Sequence, residues 1–549
     1  MKKITRYIIL VLILGSAVAC SMLDSKEDLY LTDDMLATRR YQLFNMGNRV
    51  YNNVPYGFSR IDDNLFATVS DEAQYVSSVS QSARFNNGSW NQYYNPDDVY
   101  AKYFGGIFDI NYFIENSRDY KYVLGRNRDT ITSSGAYSYH LDITDIERFR
   151  SEAVVMRAYY YFELIKRYGG VPLIEHTYDD PYTPRSSYVA VTNKIVNDID
   201  SVKNGIVTSW AEVNLADHDG RVTLGMALAL KSRVLLYAAS PLNNPNNDTE
   251  LWRKAAAAAN DVIALNRYSL APDYGDLFVA AATNNSPETI WAVRYGADNS
   301  FEKENYPIGT QGGGTGICPS YNLVQAYEHN GNIDSNDFTV NIDPRYRQTI
   351  VGNLDQWNGR ILEIYGGGVD DPSKPNTSRT GFYLKKFLNP DLNLTNDAKS
   401  IRSWIVFRYA EILLNYAEAM NEAYGPDAKS TFSMSARQAL NLVRQRSSMP
   451  DVVAADKDEM RERIKHERQI ELAFEEHRFW DLLRWKDAET VLNKPIYGIK
   501  NSPQKHNTFS QEQFVVANRT FDAAKMYLYP IPQEEIVKAA GAVDQNPNW

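Results

Sequence analysis

The sequence predicts a mainly α protein: tetratricopeptide-like helical pairs form a scaffold that carries a loop-rich, irregular ligand-binding face. Two observations lead there. Apolar residues recur at helical spacing over residues 140–265 and 402–486, whereas residues 50–100 and 268–400 are rich in Tyr, Asn, Gly, Asp and Ser with few long periodic runs. No Pro/Gly/Ser-rich linker separates the two kinds of segment, so residues 33–549 read as one domain despite the length.

The chain begins Met1-Lys2-Lys3, adds Arg6, and then runs apolar from Tyr7 to the small residues Ala17-Val18-Ala19 before Cys20. A basic start, a short apolar core and a small-residue cleavage region define a secretory signal over 1–19. The apolar run is too short to span a bilayer as a helix. The segment Ala17 to Cys20 resembles a bacterial lipobox, which implies acylation of Cys20 and a lipidated tether over 20–32. Lys26-Glu27-Asp28 resembles the acidic sorting tag of surface lipoproteins. The other cysteine, Cys318, then has no partner, and its neighbours Gly316 and Pro319 suit a packed, inert thiol.

The net charge of −10 becomes −13 once Lys2, Lys3 and Arg6 leave with the signal. An acidic body argues against nucleic acid and against charge-driven adhesion to anionic lipid. Attachment to a membrane therefore falls to the acyl chains.

Within the scaffold, residues 148–167 hold Phe149, Val154, Met156, Tyr160, Leu164 and Ile165 at helical spacing, and Gly169-Gly170 stops them. Residues 224–239 and 252–265 predict a helical hairpin with alanines at the contact. Residues 405–424 and 431–446 predict a second. Residues 289–294 read as a short strand, with Trp291 assigned to core packing.

Residues 467–485 are either ionic or large and apolar at nearly every position. Read as one helix, they pair Arg468 with Glu471, Glu475 with Arg478, Arg478 with Asp481, and Asp481 with Arg484 at i,i+3. Ile470, Leu472, Phe474, Phe479, Leu482, Leu483 and Trp485 cover its sides, so the helix is expected to be buried together with its ion pairs.

That stretch closely resembles the signature helix of the SusD/RagB family of outer-membrane nutrient-binding lipoproteins. Further resemblance lies in Arg408-Tyr409-Ala410-Glu411 through Tyr416-Ala417-Glu418-Ala419, in Tyr529-Pro530-Ile531-Pro532 with Gln545-Asn546-Pro547, in Arg157-Ala158-Tyr159 through Tyr168-Gly169-Gly170, and in Asp343-Pro344-Arg345. At Glu476 the commoner family form has glycine. The resemblance implies a SusD-like fold and a lipid-anchored location on the outer membrane, facing the exterior. It also implies a SusC-like TonB-dependent transporter as partner.

No catalytic constellation is visible. Gly312-Gly313-Gly314 and Gly366-Gly367-Gly368 lack the lysine and hydroxyl residue of a phosphate loop, and HExxH, CxxC and GxSxG are absent from the sequence. No metal and no cofactor is expected. Aromatic surface is abundant, with 38 Tyr, 21 Phe and 9 Trp. Aromatic faces receive sugar C–H groups while Asn, Asp and Arg take the hydroxyls. The candidate contacts are Trp90, Asn91 and Tyr75 in residues 75–94, Phe301 and Tyr306 in residues 298–316, and Trp357. The competing reading for each aromatic is packing over the core.

The expected function is a surface glycan receptor that delivers oligosaccharide to its transporter. A peptide-binding receptor of the RagB branch, a glycoside hydrolase on a helical scaffold and a pure protein scaffold are the alternatives.

Overall fold

The computed structural model describes residues 40–549 except 181, 214–217, 280–282, 284–285, 333–337 and 506–507. The expected signal, Cys20 and the tether lie outside the described residues.

The scaffold helices are α1 (Arg40–Arg49), α2 (Tyr100–Asn116), α3 (Tyr120–Asn127), α4 (Ser133–Tyr168), α5 (Tyr188–Val202), α6 (Leu224–Ala239), α7 (Thr249–Ala264), α8 (Tyr409–Tyr424), α9 (Ala436–Arg446), α10 (Lys457–Glu471) and α11 (Arg478–Trp485). They stack in a chain of pairs. α2 and α5 flank α4, α6 follows α5, α7 lies on α6 and α8, and α8 carries α9 and α10. Side-chain caps fix the starts: Thr132, Ser187, Thr223 and Asp248 accept from first-turn amides, and Ser435 forms a capping box with Gln438. Gly169 ends α4 at φ 71°. Between α6 and α7 the buried Ala227, Ala229, Ala255, Ala256 and Ala259 let the backbones approach, as the alanine spacing predicts.

The irregular half contributes short antiparallel pairs: β1 (Ala73–Tyr75) with β3 (Ile317–Pro319), β2 (Thr289–Asp298) with β4 (Ser400–Arg408), and the hairpin of β5 (Ile496–Pro503) with β6 (Phe509–Ala517). Trp291 is 4% exposed on β2.

Several expected boundaries change, and the helix predicted over 148–167 begins much earlier, at Ser133. The helix predicted from residue 405 starts at Tyr409, because Ile405, Val406 and Phe407 complete β4 against β2. The second helix of that pair starts at Ala436 rather than Thr431, after its capping box. The single helix over 467–485 is two helices, α10 and α11, with Phe474 and Glu476 at φ 66° and 63° between them. The chain does turn sharply at the position where the family commonly has glycine.

The break redirects the ion pairs. Of the expected i,i+3 pairs, Asp481–Arg484 forms, at 2.8 Å. Arg468 instead donates to Asp481 across the break at 2.9 Å, and Arg478 to Asp71 at 2.8 Å. Glu471 accepts from Arg408 and Arg446, at 2.6 and 2.5 Å, and from Arg345 at 2.8 Å. Burial alone would push its carboxyl up, but the Arg446, Arg408 and Arg345 guanidiniums outweigh that and hold it below the usual carboxylate range. Arg408 and Lys386 both reach Glu475, which ties the loop-rich half to α10 and α11. These are buried charges that depend on one another for satisfaction.

Candidate functional site

The segment 366–381 (GGGVDDPSKPNTSRTG) is made of turn residues, and each of its bends has a local cause. Asp371 accepts from the amides of Gly367 at 2.7 Å and Ser373 at 2.8 Å. Those bonds lower its carboxyl to about 2. Ser378 Oγ, itself buried, accepts from the amides of Gly381 and Phe382, both at 3.1 Å. Gly381 adopts φ +86°, and a Cβ there would meet the Ile499 carbonyl oxygen at 2.3 Å. The Ile499 amide donates to the Thr380 carbonyl at 2.8 Å. The loop is therefore clamped directly onto β5.

Loop and hairpin enclose a cavity of about 750 Å³, within the usual range for small-molecule sites. Val76, next to Tyr75 at the end of β1, closes one side, and Phe514, Lys500 and Asn501 of the hairpin form another. Phe514 is 39% exposed and stands opposite Gly498 across the hairpin. The absent side chain at Gly498 leaves room for the ring, since a Cβ there would lie 3.0 Å from its edge. A second cavity, of about 350 Å³, shares Gly381, Ile499 and Asn501 with the first and adds Phe509, Gln511 and Asn353. Gly381, Ile499 and Asn501 thus form a wall common to both cavities.

The sequence-derived candidates are dispersed. Trp90, expected as an exposed platform, is 2% exposed and stacks on Phe85 at 4.9 Å with planes 4° apart. Tyr529 and Trp549, from the far end of the chain, complete its cage. Its polar neighbours do not hold it at the surface, because Asn91 is itself exposed and spends its Oδ1 accepting from the Tyr93 amide at 2.9 Å. Phe301 packs on Phe58 at 4.8 Å, and Tyr306 and Trp357 meet edge to face at 5.1 Å. All three are buried in the core cluster, so their rings form no open platform. Tyr75 is half-buried and donates to Glu304 at 2.6 Å. Burial and that carboxylate push its hydroxyl pKa up. Asn91 does line a small cavity of about 200 Å³, together with the exposed Tyr93 and Tyr94.

Sequence reasoning missed Phe514, Lys500 and the whole hairpin. The available signal was an aromatic, Phe514, directly after the polar run Ser510-Gln511-Glu512-Gln513. Cys318 is buried, and burial raises its thiol to about 11, in keeping with a packed, unreactive role.

Residues 287–549 match the family described as the SusD family, and residues 22–236 match the family described as starch-binding, associating with the outer membrane. A SusD-like protein of Formosa agariphila is 29% identical over 378 residues, which are 64% of this chain and 69% of that protein. Among solved structures, a SusD-like protein from Bacteroides fragilis superposes with a TM-score of 0.76 at 25% identity, covering 94% of this chain and 99% of that one. A SusD-like carbohydrate-binding protein from the same organism gives 0.73 at 20% identity, over 92% and 99% of the two chains.

Proposed function

This chain belongs to the SusD/RagB family, and from that premise we propose that it is a lipid-anchored receptor on the outer face of the outer membrane. It binds oligosaccharide in the cavity between residues 366–381 and the β5–β6 hairpin, and hands it to a SusC-like TonB-dependent transporter. One observation carries the reading: the partly exposed ring of Phe514 lines the same preformed cavity as Asn376, Arg379 and Asn501. Sugar recognition needs an apolar face for C–H groups with hydrogen-bonding groups at its edge. The carbohydrate-binding name of the Bacteroides fragilis neighbour and the starch-binding, outer-membrane description of the matching family support the same reading.

Binding is non-covalent and modest, because each immobilised group costs ordering entropy. The test is affinity electrophoresis and calorimetry against a polysaccharide panel, together with co-purification from membranes of a host expressing the neighbouring transporter. Retarded migration that Phe514→Ala abolishes supports the site. No retardation by any polysaccharide overturns the glycan reading, and purification without a barrel partner overturns the delivery step.

A further inference from the structure

The charges around the same cavity bear on which glycan it takes. Four buried guanidiniums elsewhere in this molecule, those of Arg345, Arg408, Arg468 and Arg484, each hold at least one carboxylate at 2.9 Å or less, and the buried Arg519 is instead held by backbone carbonyls and Gln74. Arg379 is partly buried and has neither kind of partner for its side chain. It lines the cavity, no carboxylate of the described residues lies within ion-pair distance of it, and its Nε is buried without a hydrogen-bond partner. The guanidinium thus lines the cavity with its charge unmatched by a carboxylate of the described residues, and an anion entering the cavity would pair with it.

Two further cations share the lining. Lys500 stands opposite Glu512 across the hairpin, yet makes no ion pair with it or with any other described residue. Lys374 donates to the carbonyls of Gly368 at 2.9 Å and Val369 at 3.2 Å, which engages two of its three donors without neutralising it. The carboxylate in the lining is Asp371, already held by backbone amides. The cavity wall therefore carries surplus positive charge on a chain whose net charge is −10. Such a local reversal of sign attracts anions.

Resting on the glycan reading above, the geometry points to an anionic saccharide as the ligand: Arg379 and Lys500 receive a carboxylate or sulfate ester while Phe514 takes the ring. Carboxylate and sulfate share the chemistry that a guanidinium recognises through paired N–H donors. Neutral glycans offer these cations only hydroxyl acceptors without charge and are bound more weakly.

The experiment is calorimetry on the full chain in detergent with tetragalacturonate, sulfated neocarratetraose and neutral laminaritetraose, at low and high salt. The expected result is binding of a charged probe, at least about tenfold tighter than the neutral one, weakening several-fold as salt rises from about 50 to about 500 mM. Which charged probe binds separates carboxylate from sulfate. Arg379→Ala should cost the charged probe at least about tenfold while Arg379→Lys recovers part of it. The melting temperatures of both variants show whether they are folded, and Lys500→Gln on the exposed hairpin gives a second reading if Arg379→Ala is not. Equal or tighter binding of the neutral probe, indifferent to salt and to Arg379→Ala, overturns the anionic assignment and leaves the glycan reading standing. Failure of all three probes, with failure of the polysaccharide panel, overturns both.

Discussion

Arg408 grips Glu475 with two hydrogen bonds, Nε at 2.6 Å and Nη2 at 2.8 Å, and so fastens the end of β4 to the turn between α10 and α11. The same guanidinium reaches Glu288 and Glu471 at 2.7 and 2.6 Å. One arginine thus neutralises carboxylates from both halves of the molecule.

Arg408→Met is expected to destabilise the protein by about 3–5 kcal/mol, because it strands several buried carboxylates at once. The urea midpoint should fall with an unchanged slope. A midpoint shift within about 0.5 kcal/mol would show that water or lysine compensates.

Glu72 is buried, accepts from the Phe474 amide at 3.0 Å and from Ser70 Oγ at 3.1 Å, and has no cation within ion-pair distance among the described residues. Burial raises its carboxyl to about 8 from an ordinary 4.5. The folded state thus holds a proton that the unfolded state has released. Its contribution is complete below about 4.5 and is lost as pH rises towards about 8, at up to ~1.4 kcal/mol per pH unit. Glu72→Gln keeps the acceptor and removes the titration. Its melting temperature should overtake that of the parent at pH 8, and parallel pH profiles for the two proteins would refute the assignment.

Phe514→Ala should weaken saccharide binding by about 1–2 kcal/mol, roughly 5- to 30-fold in Kd, with little change in melting temperature, since the ring is partly exposed on the hairpin. Unchanged affinity removes Phe514 from the site.

Trp90→Ala should do the opposite. Removing a ring caged by Phe85, Tyr529 and Trp549 costs about 3–5 kcal/mol of stability and leaves the affinity of the folded fraction unaltered. Loss of affinity at full stability would restore it as a ligand contact.

Gly381→Ala places a methyl group 2.3 Å from the Ile499 carbonyl oxygen at φ +86°. The loop must leave β5, so both stability and saccharide binding should fall together, stability by about 1–3 kcal/mol. Denaturation and calorimetry on the same preparation check this.

Much of the scaffold was legible before the structure. The alanine stripe of 224–264 announced a close helical pair, and Trp291 and Cys318 sit in the interior as their sequence context implied. What was not legible is decided over long distances. Arg478 had Glu475 and Asp481 at helical spacing but pairs with Asp71, 407 residues away, because the turn at Glu476 separates it from Glu475 and Asp481 is taken by Arg468 and Arg484. Trp90 has polar neighbours in sequence, yet its surroundings come from residues 529 and 549. The cavity itself joins residue 76 to residues 366–381 and 499–516. No periodicity spans that distance, and a strand exposed on both faces, such as β6, carries little alternation to read.

That double exposure of β6 has a bearing on descent. Positions free of the interior mutate at small thermodynamic penalty, so residues 509–517 are open to change while the buried ion pairs stay untouched. Homologues should then diverge fastest along this ribbon, and slowest at Arg408 and Glu475.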